Sequence, residues 1–170
     1  DAKNGIITDV HVTAGNVNDH IPFIERVKAL KNRLGLPIQA IGADKGYDFS
    51  EVHHGLEQEK INGYITPKEL SEAEAIIETD FIYDKETDTF TCPEGKLLHW
   101  THVERLTEAH IVKIYAARTK DCKVCPNRTS CFSPKKKYRK IKVALFHEPD
   151  KRNRDRATTR GYSRVQRLRR

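Results

Sequence analysis

Between residues 6 and 67 the spacing of apolar side chains switches from a period of two to a period near 3.6 and back, and this alternation limits the folds open to the chain. Residues 6–14, IITDVHVTA, put Ile6, Thr8, Val10, Val12 and Ala14 on one face and Ile7, Asp9, His11 and Thr13 on the other. That is the pattern of a half-buried strand. Gly15-Asn16 ends it, Asp19 is the expected N-cap of the next element, and Pro22 suits a first helical turn. Phe23, Val27, Leu30 and Leu34 form one helical face, closed by Gly35 and Pro37. Ile38, Ala40, Ile41 and Ala43 read as a buried strand. Ser50 and Glu51 then open a helix carrying Val52, Leu56 and Ile61, and Gly63-Tyr64-Ile65-Thr66 is a short strand stopped by Pro67. The order β-α-β-α-β predicts an α/β layer with parallel strands and helices packed on them.

The stretch 38–48, IQAIGADKGYD, organises that layer. It delivers Asp44 at the carboxyl end of a strand, followed by the tight turn Lys45-Gly46-Tyr47, in which Gly46 is free to take a positive φ. Open α/β sheets bind ligands just past the carboxyl ends of their strands. A carboxylate there, beside a lysine and a tyrosine, suits a metal ion facing a phosphate. An ordinary turn aspartate fits the spacing equally well. His11, His53 and His54 show no metal-ligand spacing and read as exposed or capping residues.

The texture changes after Pro67. Residues 71–79 are acidic, weakly helical or simply a linker. Residues 81–83 and 89–91 flank a polar loop as in a hairpin. Residues 96–100, 110–117 and 138–145 supply further strands, so the middle of the chain reads as a separate β-rich unit. All four cysteines lie there, as Cys92, then Cys122 and Cys125 in a C-x2-C turn, then Cys131. Four thiolates at this spacing complete a structural zinc site. Two disulfides are one rival, suited to a secreted domain. A redox C-x2-C is the other, and it normally opens a helix. A region with so thin an apolar core needs such a staple.

Net charge is uneven. Residues 134–170 hold 15 Lys/Arg against 3 Asp/Glu, a balance of +12, while the whole chain carries +7. That is the footprint of a polyanion-binding end, with a merely solvated tail as its rival. No apolar run approaches the roughly 18 residues of a membrane span. No signal peptide opens the chain, so a cytoplasmic setting is expected. Methionine is absent, position 1 included, and the chain reads as a segment of a longer protein.

DAKNGIITDVHVTAGNVND followed by AIGADKGYD resembles the catalytic domain of bacterial insertion-sequence DDE transposases. The closest likeness is to the branch interrupted by a cysteine-containing β insertion, as in FIYDKETDTFTCPEGKLL and CKVCPNRTSC. The resemblance implies a partial ribonuclease H-like mixed sheet with helices over residues 1–70 and a zinc-ribbon-like insertion over 71–148. A basic segment over 149–170 then leads back into the catalytic core. Asp44 matches the second of three acids that hold two magnesium or manganese ions. The first acid is expected upstream, Asp1 not being it, and the third on a helix beyond YSRVQRLRR. The implied function is strand cleavage and transfer by two-metal phosphoryl transfer on transposon ends and target DNA, by a homodimer, with the isolated chain inactive. Lys45, Tyr47, Arg139, Lys140, Lys142, Arg152, Arg154, Arg160, Arg164 and Arg167 are the expected DNA contacts. The alternatives are a non-catalytic, zinc-stapled DNA-binding module and, more remotely, a zinc-ribbon protein acting on RNA.

Overall fold

The computed structural model describes residues 4–107 and 110–169; Asp1 lies outside them. The chain divides into two compact units, one built from Asp1–Lys68 with Phe146–Arg170 and the other from Glu69–Leu145.

In the first unit, helix α1 (Phe23–Leu34) turns Val27 inward and ends at Gly35, whose φ of 60° is left-handed. That conformation suits a residue without Cβ and stops the helix where the sequence predicts. Strand β1 (Ala40–Ala43) runs parallel to β2 (Asn62–Ile65), from Ala40 opposite Asn62 to Ala43 opposite Ile65, with helix α2 (Ser50–Gln58) as the crossover. Helices α6 (His147–Ala157) and α7 (Arg160–Leu168) return to this sheet. Val27, Ala43, Val52, Leu56, Ile61 and Ile65 form its core. A Cβ on Gly42 would meet Val165 Cγ1 at 2.7 Å, so a glycine in β1 is what lets α7 lie close over the strand.

Several expectations need correcting here. Residues 6–14 form no strand: Ile7, Val10 and Val12 are 75–86% exposed, because no neighbouring strand supplies backbone partners for their pattern. The segment is instead tied to α1 by side chains. Asp9 pairs with Arg26 and Arg33, and Arg33 also donates to Thr8 O at 3.0 Å. The residue capping α1 is Pro22, not Asp19. In β1 only Ala43 is fully buried; Ala40 is exposed.

The second unit is a five-stranded antiparallel sheet in the order β3 (Ile82–Asp84), β4 (Thr89–Thr91), β5 (Leu97–Thr107), β6 (His110–Ala117), β7 (Lys140–Ala144). Register shifts between Trp100 and His102 and between Arg105 and Thr107 mark bulges in β5. That strand runs well beyond the predicted 96–100. The acidic stretch is a true helix, α3 (Glu72–Asp80), started by a capping box in which Ser71 and Glu74 satisfy each other's backbone N–H. Two short helices, α4 (Thr119–Lys123) and α5 (Arg128–Cys131), carry three of the cysteines or their flanks. Phe81, Phe90, Leu98, Tyr115, Ala117, Ile141 and Val143 pack on one face with Cys122.

Leu98 is completely buried. Leu98→Ala is expected to cost about 2–5 kcal/mol, the usual range for emptying such a site, read as a lower midpoint in chemical denaturation.

Candidate functional site

Asp44 leaves β1 at its carboxyl end and caps a single 3-10 turn, Lys45–Tyr47, by accepting Gly46 N–H on Oδ1 at 2.9 Å. Gly46 does not use the positive φ open to it. The turn constrains it differently, since a Cβ there would stand 3.0 Å from Asp44 Oδ1. The side chain of Asp44 is 59% exposed, and its second oxygen lies 3.7 Å from Arg169 on the residue after α7. Tyr47 is half-buried against Phe23, with ring centroids 4.7 Å apart. Burial, with Asp19 and Asp44 nearby, raises the pKa of its phenol.

Four residues on, the chain does the reverse with Asp48, whose side chain is only 4% exposed. His53 Nε2 lies 2.7 Å from Asp48 Oδ1, and Asn153 Nδ2 donates to the same oxygen at 3.4 Å. The backbone N–H of Lys68 donates to Oδ2 at 2.7 Å. The Lys68 ammonium returns to Asp48 O at 2.9 Å and sits 3.4 Å above the Phe49 ring, on which His20 also stacks. Burial pushes the Asp48 carboxyl up, but the bonds from His53 and Lys68 outweigh it and hold the group below the ordinary aspartate value. Asp150 of α6 completes the cluster, 3.6 Å from His53 Nε2 and 2.8 Å from Arg154. Burial raises its pKa. Among the described residues, Asp48, His53 and Asp150 form the one set of three or more potential metal donors lying within 4.8 Å of one another. No sequence signal marked this set, whose members come from a turn, α2 and α6.

In the second unit all four cysteines are free and line one cavity of about 420 Å³. Cys92 begins a tight turn in which Gly95 N–H reaches Cys92 O at 2.8 Å and Cys92 N–H reaches Lys96 O at 2.9 Å. Cys125 N–H turns back to Cys122 O at 3.4 Å. Burial raises the Cys131 thiol pKa, the nearby Arg139 opposes that shift, and the other three thiols reinforce it.

A family model described as a transposase DDE domain matches residues 1–169. The chain belongs to that family. No curated protein and no solved structure matches it.

Within this transposase domain the basic residues singled out in the sequence divide into two groups. Arg152 is held by a two-pronged pair with Glu57, at 2.8 and 2.7 Å, and reaches Glu148. Arg154 pairs with Asp150. Arg139 donates to Cys131 O at 2.8 Å in the cysteine cavity, and Lys142 pairs with Glu104. Lys140 lies over the Tyr138 ring. Arg160, Arg164 and Arg167 instead share the outward face of α7, at spacings of four and three. Tyr162, Gln166 and Arg169 share the inward face, where Gln166 bonds the carbonyls of Ala43 and Tyr64. Leu168, the last residue of α7, is 49% exposed. No helix among the described residues is long and apolar enough to cross a membrane.

Asp48 has its pKa lowered on folding, so its stabilising contribution is present above the ordinary aspartate value of 3.8 and is lost as pH falls through the folded value. Asp150, shifted the other way, contributes less as pH rises through its own range. The informative measurement is therefore the difference between Asp48→Asn and the parent chain. The variant is expected to be less stable by about 2–4 kcal/mol at neutral pH, with the gap closing in acid.

Proposed function

We propose that this chain is the part of an insertion-sequence transposase that supplies one metal-binding acid, Asp44, to a ribonuclease H-like active site for DNA strand cleavage and transfer. The observation carrying this reading is the family match over residues 1–169, with Asp44 at the carboxyl end of a parallel strand. The carboxylate is a hard oxygen donor with one lightly engaged oxygen, which fits magnesium or manganese. A bound ion would supply Lewis-acid stabilisation of the phosphoryl oxygens and of the attacking hydroxyl. Among the described residues no three-donor group includes Asp44, so the isolated chain is expected not to cut DNA. The remaining acids belong to the complete enzyme, which on this reading works as a homodimer on the ends of its element.

The residues of the chain itself have definable tasks. Asp44 presents a metal-binding oxygen whose direction is set by its bond to Gly46 N–H. Lys45, exposed in the same turn, faces phosphate, and Tyr47 braces the turn against Phe23. Arg160, Arg164 and Arg167 take the DNA backbone, with Lys140 as a further contact. Arg139, Arg152, Arg154 and Lys142, already engaged with protein groups, contribute less than the sequence alone suggests. The cysteine unit, Glu69–Leu145, is read as a zinc-stapled insertion. What supports that is a cavity lined by four free thiols, Cys92, Cys122 and Cys125 on two tight turns and Cys131 at the end of α5, a donor set suited to zinc.

Two measurements test this reading. Changing Arg160, Arg164 and Arg167 together to serine is expected to reduce the slope of log affinity against log salt for duplex DNA by about 3. An unchanged slope would remove α7 from the interface. Elemental analysis of the purified chain is expected to find one zinc per chain, lost in Cys125→Ser with a fall in thermal stability. Cysteines found oxidised in pairs would overturn the zinc assignment.

A further inference from the structure

Asp48 closes the proposed metal-binding turn and His53 sits beside it, and their geometry resembles a metal site while arguing against one. Both Asp48 oxygens already accept hydrogen bonds, one from His53 and Asn153 and the other from Lys68 N–H. Asp150 is already paired with Arg154, and the Lys68 ammonium lies against the Asp48 backbone. Two carboxylates face two fixed cations, so a divalent ion would add uncompensated charge to a buried place and displace bonds already made. The cluster also joins separate pieces of chain: the turn that starts at Asp44, helix α2, the segment after β2, and helix α6.

We infer that Asp48, oriented by a proton-bearing His53 Nε2, is a positioning residue that locks the Asp44 turn to α2 and α6 and thereby sets where the Asp44 carboxylate points. The turn is short. Asp44 is its first residue and Asp48 its last, with Asp48 N–H closing on Lys45 O at 3.3 Å. Fixing Asp48 from three directions leaves the intervening Gly46 N–H held for Asp44 Oδ1. His53 must donate from Nε2, because a bare ring nitrogen there would face two carboxylate oxygens at 2.7 and 3.6 Å. The inference rests on the reading of Asp44 as a metal-binding acid only for its consequence, not for the lock itself.

The test uses the full 170-residue chain and amide hydrogen exchange. Asp48→Asn is expected to speed exchange at Gly46 by roughly tenfold or more relative to the helical amide of Leu56, since a charge-assisted anchor is lost. Arg152→Met, which removes a different tie between α6 and α2, is the control and is expected to leave Gly46 unchanged. Equal acceleration in both variants, or none in Asp48→Asn, would overturn the inference. Should Asp48→Asn fail to fold, the nitrogen spectrum of His53 in the unaltered chain still decides. A proton on Nε2 at neutral pH is expected, and a bare Nε2 would sink the lock. Manganese separates the two readings. Broadening of the Gly46 and Tyr47 amides in the unaltered chain, lost in folded Asp48→Asn, supports both, whereas broadening that persists unchanged in the variant overturns the lock. No broadening in the unaltered chain removes the metal reading of Asp44 and leaves the exchange comparison to judge the lock.

Discussion

One side chain, Asn153, holds the first unit together. Ile65 is fully buried on β2, yet its N–H and C=O face the edge away from β1. Asn153 takes both, its Oδ1 accepting Ile65 N–H at 3.2 Å and its Nδ2 donating to Ile65 O at 3.1 Å. An amide on a helix thus does what a third strand would do. The next outward carbonyl on that edge, Gly63 O, is taken by Arg156 at 2.7 Å. A two-stranded sheet does not hold itself in water, and unpaired backbone groups in a core cost free energy that the fold cannot spare. Helix α6 must therefore return to β2 from 88 residues away. The third bond of Asn153, to Asp48, carries the same constraint into the turn beside Asp44.

The second unit solves the same problem with strands. Tyr115, fully buried at the centre of β6, sends its hydroxyl to Asp88 at 2.6 Å, and Tyr83 and Lys113 reach the same carboxylate. Asp88 sits at a positive φ in the β3–β4 hairpin, a conformation aspartate tolerates better than most residues. Burial and this bond to a carboxylate both raise the pKa of Tyr115, so it stays a donor. Beside this core the four thiols line a cavity together with Phe81, Leu98, Phe132 and Arg139.

What could be read from the sequence depended on whether the partners were local. Helix α1, its Gly35 stop and the β3–β4 hairpin are encoded by neighbours a few residues apart, and each is found where the period predicts. Residues 6–14 carry an equally clean period of two and still form no strand, because alternation describes only one half of a pairing. β5 extends to Thr107 through a stretch without apolar alternation, its pairing set by β6 instead. The charge-rich end was legible as charge but not as allocation. Nothing in KRNRDRATTR tells Arg152 from Arg160; the difference is Glu57, 95 residues before Arg152 in the chain. His53, Asp150 and Asn153 escaped for the same reason, each looking solvated or capping until the topology brought them to Asp48.

Asp44 and Asp48 are the same residue type four positions apart, and the fold treats them oppositely. Asp48 is buried among directed bonds, and its ionised form is favoured by those bonds together with the neighbouring Lys68 charge. To bind an ion it would have to break them, so the one compact donor cluster among the described residues is better read as framework than as a metal centre. Asp44 keeps one oxygen on Gly46 N–H, which fixes its direction, and its side chain stays 59% exposed with the other oxygen 3.7 Å from Arg169. A carboxylate so arranged can exchange water for a hard cation at little cost in desolvation, because the rigidity comes from its neighbour and not from its own burial. Separating the group that is rigid from the group that is available lets a turn on the surface hold an exposed carboxylate oxygen in a defined direction.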